Sequence, residues 1–468
     1  MPEIADALSD VGISSPFPIQ EMTLSVALMG TDLIGQARTG TGKTLAFAIP
    51  VIQRTVAPHD PDYDQLAAPG KPQALIIAPT RELAIQVAGD VDTAAAKRGT
   101  RSLLVYGGVG YEPQLEALEA GVDIVIGTPG RLLDLANRGA LDLSHVKSLV
   151  LDEADEMLDL GFLPDIESLL AKTPETRQTM LFSATMPSPI VTLARRHMRH
   201  PMNIRAESQD AQQTVPTTSQ FVWQAHELDK PEVLARILQA DDVARVVIFT
   251  RTKRTAQRVA DDLIDRGFPA APLHGDMAQA AREKAMARFR EGKVNTLVAT
   301  DVAARGIDVS DVSHVINYNC PEDDKTYVHR IGRTGRAGNT GTAVTFVDWA
   351  DITRWKLINK ALDLPFDEPV ETYSTSDHLF HDLGISREVK GRLKPAAPRE
   401  PRNDRARNDR TKGDKNRDGG NRGGQNRSGQ KQDGQNGEQK SSPNRNRRRR
   451  NRNRTRGGAP VAAEAKSE

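Results

Sequence analysis

The sequence predicts an α/β protein with two parallel-sheet domains in tandem, followed by a disordered basic tail. Three observations lead there. Short aliphatic runs recur along the chain with polar motifs just past their ends, helix-length segments lie between the runs, and the composition changes abruptly near Gly391. At about 150 residues per domain, 468 residues leave room for two or three domains with substantial cores.

In the first domain, predicted over 1–205, a short apolar run at Asp32–Ala37 precedes the glycine loop, and the recurring runs are Ala74-Leu-Ile-Ile-Ala, Asp123-Ile-Val-Ile-Gly, Ser148-Leu-Val-Leu and Gln178-Thr-Met-Leu-Phe. They are too apolar to be half-exposed, so they read as parallel strands buried on both faces. Helix-like segments at Arg81–Lys97 and Tyr111–Ala120 give a βαβ alternation. In such sheets sites form beyond the carboxyl ends of the strands. Pro79-Thr80-Arg81, Thr128-Pro-Gly-Arg131, Asp152-Glu-Ala-Asp155 and Ser183-Ala-Thr185 all sit there. His59–Pro72, rich in Pro, Asp and Gly, reads as a surface loop.

Residues 206–218 lose the apolar pattern and read as a linker. The alternation resumes with Arg245-Val-Val-Ile-Phe, Asn295-Thr-Leu-Val-Ala, His314-Val-Ile-Asn and Gly341-Thr-Ala-Val-Thr-Phe, which places a second α/β domain over 219–367 and a short extension over 368–390. There is no short tandem repeat, so any kinship between the halves lies in architecture.

The net charge of +1 averages two opposite regions. Residues 391–468 carry 23 Lys+Arg against 9 Asp+Glu, leaving 40 against 53 for residues 1–390. No aromatic residue follows Phe380, and such a tail cannot bury a core. It is either a solubilising tail or, given Arg447–Arg450 amid Gly and Asn, a polyanion-binding arm. Cys320 is the only cysteine, so no internal disulfide forms and a reducing cytoplasm fits best. The N-terminus has no signal-peptide pattern, and no uncharged apolar run reaches the roughly 20 residues a bilayer crossing needs, so no membrane is expected.

Ala37-Arg38-Thr39-Gly40-Thr41-Gly42-Lys43-Thr44 lies between a predicted strand and a predicted helix, the setting of a phosphate-binding loop. Gly40 and Gly42 let several N–H groups point at one anion, and the helix N-terminus adds its positive end. Lys43 then faces the β- and γ-phosphates of a nucleotide, and the Thr44 hydroxyl takes a magnesium position. Asp152 ends an apolar strand where the second magnesium-anchoring carboxylate belongs, and Glu153 beside it can orient or deprotonate the attacking water.

Asp152-Glu-Ala-Asp155 spells the name-giving motif of the DEAD-box RNA helicases, and motifs resembling that family run in family order from Gly12 to Gly338. The resemblance covers nearly all of both predicted domains. It implies two RecA-like domains, ATP and Mg2+ as cofactors, and RNA, single-stranded or in short duplexes, as partner. Pro16-Phe-Pro-Ile-Gln20 resembles the adenine-reading motif, with Gln20 implied at the base edge. Ile13 stands where the family has an aromatic, and a further upstream aromatic would precede Met1, so adenine stacking is weaker here or the chain starts earlier.

Pro79, Thr80, Arg81, Gly107-Gly108, Thr128, Pro129, Gly130 and Arg131 resemble the first domain's RNA-binding motifs, and Ser183 and Thr185 the motif that couples hydrolysis to strand separation. In the second domain Arg251, Gly275, Gln279, Arg282 and Thr300 are implied in RNA contact, and Asp308 at the ATP ribose. In His329-Arg-Ile-Gly-Arg-Thr-Gly-Arg336, Arg333 and Arg336 resemble arginine fingers that reach the γ-phosphate, so hydrolysis needs both domains closed together. His274 and His329 read as coupling and structural residues rather than metal ligands, for want of ligand partners at suitable spacing.

The implied activity is ATP-dependent unwinding of short duplexes, or remodelling of RNA–protein complexes, without strong sequence preference. Two other readings remain, a non-enzymatic RNA clamp and a DNA-unwinding motor. Ribosomal particles or RNA-decay proteins are candidate partners of the tail.

Overall fold

The computed structural model describes residues 1–37, 41–206, 218–304, 312–335 and 340–394. Arg38, Thr39, Gly40, Asp308 and Arg336, all but the ends of the predicted linker, and the tail beyond Lys394 lie outside the described residues.

The first sheet holds seven strands: β1 (Leu33–Gln36), β2 (Ala74–Ile77), β3 (Ser102–Val105), β4 (Ile124–Gly127), β5 (Ser148–Leu151), β6 (Gln178–Ser183) and β7 (Met202–Arg205). The second holds β8 (Thr218–Ala225), β9 (Arg245–Thr250), β10 (Ala270–Leu273), β11 (Thr296–Thr300), β12 (Val312–Asn317), β13 (Gly341–Val347) and β14 (Val370–Thr372). Every neighbouring pair in both sheets is parallel. The first sheet runs β3-β4-β2-β5-β6-β1-β7 and the second β10-β11-β9-β12-β13-β8-β14. Counted from the start of each lobe, the two orders are the same, which is the architectural kinship the sequence left open.

Alternation along the strands explains why they read as unbroken apolar runs. In β2, Ala74 and Ile76 join one core with the helices Pro18–Leu28, Lys43–Arg54 and Arg81–Ala95. Leu75 and Ile77 join a second core on the opposite face with Pro129–Asn137, Leu163–Leu170 and Ser188–His197. Both faces are covered, as a parallel sheet requires. The second sheet repeats this: Val246 and Ile248 of β9 pack beneath Lys230–Ile237 and Lys253–Arg266, while Val247 and Phe249 pack beneath Gln279–Arg290. The segment 368–390, read from sequence as an extension, supplies the edge strand β14 and the helix Asp377–Asp382. Leu379, Phe380, Leu383 and Ile385 enter the same core as β9.

With all strands parallel, their carboxyl ends share one edge of each sheet. Strand order then sorts the motifs. Gly108, Thr128–Arg131 and Thr80–Arg81 follow β3, β4 and β2, which are neighbours. Asp152, Ser183 and Ala37 follow or end β5, β6 and β1, also neighbours. The two groups meet between β2 and β5.

Candidate active site

Gly42 caps the Lys43–Arg54 helix in the left-handed region at φ 81°. A β-carbon there would come within 2.6 Å of Gln20 Nε2 and 2.7 Å of Phe17 Cδ2, so this turn admits glycine alone. Gln20 is buried; its Nε2 donates to Gly42 O at 2.8 Å and its Oε1 accepts from Phe17 N at 3.0 Å. The adenine-reading candidate is thus fastened to the glycine loop.

Lys43, also buried, donates from Nζ to Ala37 O at 3.0 Å and to Glu153 Oε1 at 2.9 Å. Glu153 reaches Lys43 because the chain turns sharply after β5: its φ and ψ of 50° and 55° are left-handed, a strained conformation for a side-chain-bearing residue and one that clusters at functional sites. Burial disfavours the Lys43 ammonium, but the charges of Glu153 and Asp152 outweigh it and raise the pKa. Asp152 is pushed up to about 7 by burial and by the neighbouring Glu153 charge, against the pull of Lys43. Asp152 Oδ1 is buried without a hydrogen-bond partner among the described residues. Once ionised, such an oxygen at the end of β5 is the donor a hard cation takes. Asp152, with Thr44 in the first turn of the facing helix, therefore fits magnesium.

Ser183 and Thr185 close on Asp155. Asp155 N donates to Ser183 Oγ at 3.2 Å, and Thr185 N and Oγ1 both donate to Asp155 Oδ2 at 2.8 Å. Burial alone would raise the Asp155 pKa, but the hydrogen bonds from Ser183 and Thr185 prevail and lower it. Ala37 N donates to Ser183 O at 3.3 Å, so β6 ties the carboxylate turn to the phosphate loop.

On the other half of the edge, Pro79 and Thr80 are buried, and Thr80 caps the Arg81–Ala95 helix by accepting from Leu83 N at 3.3 Å. Thr128 and Pro129 open the Pro129–Asn137 helix, with Gly130 exposed. Arg131 lies 4.0 Å over the Tyr111 ring and donates to Gln114 Oε1 and Val109 O at 3.1 and 3.0 Å.

In the second lobe, Arg251 Nη2 donates to Asp351 Oδ2 at 2.8 Å. His274 Nε2 donates to Gln257 Oε1 at 3.0 Å, and burial holds its pKa below the ordinary value, with Lys253 and Arg282 adding to the effect against Asp276. Gly275 is exposed with open space around it, and Thr300 ends β11 half-buried. His329 and Arg333 line a small pocket with Phe249, Asp301, Thr326 and Arg330, all of the second lobe.

The lobes meet through residues that the sequence reading gave to RNA. Arg81 Nη1 donates to Gln279 Oε1 at 3.0 Å, Arg282 Nη2 lies 2.7 Å from Glu82 Oε1, and Tyr106 donates to Glu283 at 3.3 Å. Arg81, Gln279 and Arg282 therefore sit at the seam between the lobes. Glu82, Asp155, Asp301 and Arg330 were inside quoted motifs but had no role of their own. Arg330 is fully buried and chelates Asp301 through Nε and Nη2 at 2.6 and 2.7 Å, joining the turn after β11 to the Asp324–Ile331 helix. Charged side chains usually read as solvated, and nothing local marks these four as paired.

The sequence pattern of the DEAD/DEAH box helicase family matches residues 17–193, and that of the helicase conserved C-terminal domain matches 229–338. The chain is similar to the DEAD-box ATP-dependent RNA helicase CshA of Geobacillus kaustophilus, at 45% identity over 345 residues, or 74% of this chain and 71% of that protein. It is similar to the ATP-dependent RNA helicase DeaD of Escherichia coli K12 at 46% over 366 residues, 78% of this chain but only 56% of DeaD. Among solved structures, S. cerevisiae Dbp5 bound to RNA and ADP BeF3 aligns with a TM-score of 0.69 at 30% identity, covering 82% of this chain and 96% of that one. Mss116p bound to ssRNA and AMP-PNP aligns with a TM-score of 0.70 at 27% identity, covering 82% and 79%.

Proposed function

Because the chain belongs to the DEAD-box family of ATP-dependent RNA helicases, we propose that it opens short RNA duplexes, or remodels RNA–protein complexes, by closing its lobes on ATP and one RNA strand together. The observation that carries this reading is the seam itself. Arg81, Gln279 and Arg282, the implied RNA contacts, are also the side chains that join the lobes. A strand lying along that seam touches both halves at once, and a bend imposed there suits one strand but not a rigid duplex.

In the first lobe Gln20 reads the adenine edge, the loop 37–44 holds the phosphates, and ATP takes over Lys43 from Glu153. Glu153, released, is free to accept a proton from the attacking water. Thr44 and Asp152 would hold magnesium, which would neutralise the charge that builds on the phosphates. From the second lobe Arg333 and Arg336 complete the γ-phosphate site and Asp308 holds the ribose. Contacts through backbone amides, hydroxyls and Arg side chains at Pro79–Arg81, Gly108, Thr128–Arg131, Arg251, Gly275 and Thr300 address phosphate and sugar. They favour RNA over DNA and leave base sequence unread.

The basic residues 391–468 add salt-dependent RNA affinity in this reading, and in the cytoplasm they are the segment through which ribosomal particles or RNA-decay proteins are engaged. Truncation before Arg392 weakens RNA binding and flattens its salt slope, since fewer counterions are released; an unchanged slope removes the arm from the proposal. Among the described residues, no helix is long and apolar enough to cross a membrane.

The test is ATP hydrolysis with and without RNA, beside Lys43→Ala and Glu153→Gln. RNA stimulation that both variants abolish supports the proposal. Turnover indifferent to RNA overturns it, and equal stimulation by DNA assigns the chain to DNA instead.

A further inference from the structure

Tryptophan occurs three times, and two of the three are core residues: Trp223 is 3% exposed and Trp355 is fully buried. Trp349 is 47% exposed. It opens the short 3-10 turn Trp349–Asp351 just past the carboxyl end of β13, on the edge that carries Arg251, Gly275 and Thr300. Its ring meets His226, which follows β8, edge to face, with centroids 6.0 Å apart and planes at 65°. β13 and β8 are neighbours, so the two rings extend that edge beyond β9 and β12.

A direct link joins this pair to the RNA track. Asp351, the last residue of the same turn, accepts from Arg251 Nη2 at 2.8 Å and also pairs with Arg354 at 2.5 Å. Trp349 and Asp351 stand at the two ends of one three-residue 3-10 turn, so the exposed indole is two residues along the chain from the buried carboxylate that holds Arg251. The field there does not repel an anion. Asp348 is matched by Lys230 at 2.6 Å, Glu227 by Arg258 at 2.8 Å and Asp351 by its two arginines. An exposed indole packed edge to face on His226, in the same turn as the carboxylate that anchors an arginine implied at phosphate, supplies the parts of a single-strand binding surface, in which a cation tracks the backbone and an aromatic takes a base.

We infer that Trp349, tilted by His226, is a stacking platform for one unpaired base of the bound RNA, lying next to the nucleotide whose phosphate Arg251 holds. Stacking accepts any base, so the platform lengthens the RNA site without adding sequence preference. The inference rests on Arg251 contacting RNA, as proposed above.

The full chain is titrated with a short oligouridylate in the presence of a non-hydrolysable ATP analogue, following tryptophan emission and, separately, RNA affinity. Emission is quenched on saturation, because Trp349 is the exposed indole of the three. Trp349→Ala loses the quench and weakens RNA binding at least about fivefold, the lower end of what stacking one base contributes. Trp349→Phe restores most of the affinity without the quench. In a set of oligomers with one abasic nucleotide moved along the strand, a single position removes the difference between Trp349→Ala and the parent. Unaltered emission at saturating RNA, with equal affinities of parent and Trp349→Ala, overturns the inference and assigns the aromatic pair to a protein contact. Failure of the parent to bind RNA at all would instead count against the helicase reading. Trp349 lies at the surface, so equal melting temperatures of parent and variants separate lost stacking from lost fold.

Discussion

Arg282 and Glu82 face each other across the interlobe cleft at 2.7 Å, with only 10% and 8% of their side chains exposed. Removing one member of so buried a pair leaves an uncompensated charge, worth about 3 kcal/mol or more, and only the closed arrangement bears that loss. Glu82→Gln and Arg282→Gln should each lower RNA-stimulated turnover by tenfold or more and widen the distance between dyes placed one on each lobe. Exchanging the two residues, Glu82→Arg with Arg282→Glu, should recover part of both. Single variants that change neither signal would remove the pair from closure.

Lys43 and Glu153 should separate binding from chemistry. Because Glu153 holds Lys43 at 2.9 Å, Glu153→Gln weakens a competitor of the phosphates. ATP affinity should stay the same or rise, while RNA-stimulated hydrolysis falls by about 10²–10⁴ as the proton acceptor is lost. Lys43→Ala should lose affinity as well as turnover. Equilibrium binding of a labelled ATP analogue beside steady-state hydrolysis distinguishes the two.

If Asp152 is the magnesium ligand proposed above, it sets the pH dependence. Its carboxyl, raised to about 7 by burial and Glu153, must be ionised to hold magnesium, so the proton and the metal compete. Magnesium-dependent ATP affinity should improve from pH 6 to pH 8 by up to about tenfold, with proton release on binding that grows as the pH falls below 7. Asp152→Asn should flatten the profile and leave the nucleotide insensitive to chelation. Calorimetric titration in buffers of different ionisation enthalpy reads the released proton directly.

Gly108 has φ +89°, and a β-carbon there would lie 2.7 Å from Arg81 Nη1. Gly108→Ala should cost about 1 kcal/mol in stability through the strained backbone and push Arg81 away from Gln279. The expected result is a small fall in melting temperature with a severalfold loss of RNA affinity. Gly130→Ala, with open space around it and no positive φ, is the matched control for stability.

The strands that were legible are those buried on both faces. β2, β4, β5 and β6 are buried at every position because two cores claim alternate side chains. β3, β7, β10 and β14 escaped notice for the converse reason, since they are edge strands of only three or four residues; β8, though longer, escaped because Ser219, Gln220 and Gln224 break its apolar run. The phosphate loop and carboxylate turn were visible because their geometry demands particular residues in succession. Glycine at 42, for example, meets a left-handed turn packed against Gln20 and Phe17. The Glu82–Arg282 and Asp301–Arg330 pairs were not visible, since the partners lie far apart in the chain and only the folded sheets bring them together.

Two sheets of identical strand order, each covered on both faces, leave little inside either lobe that can yield. The soft coordinate is the opening between them, and the side chains at the seam bias it. Thermodynamics then imposes reciprocity: the factor by which RNA tightens ATP must equal the factor by which ATP tightens RNA. A substitution at Arg81, Glu82, Gln279 or Arg282 should therefore change the RNA effect on ATP affinity and the ATP effect on RNA affinity by one shared factor, and a core substitution should shift the melting temperature while leaving that factor alone.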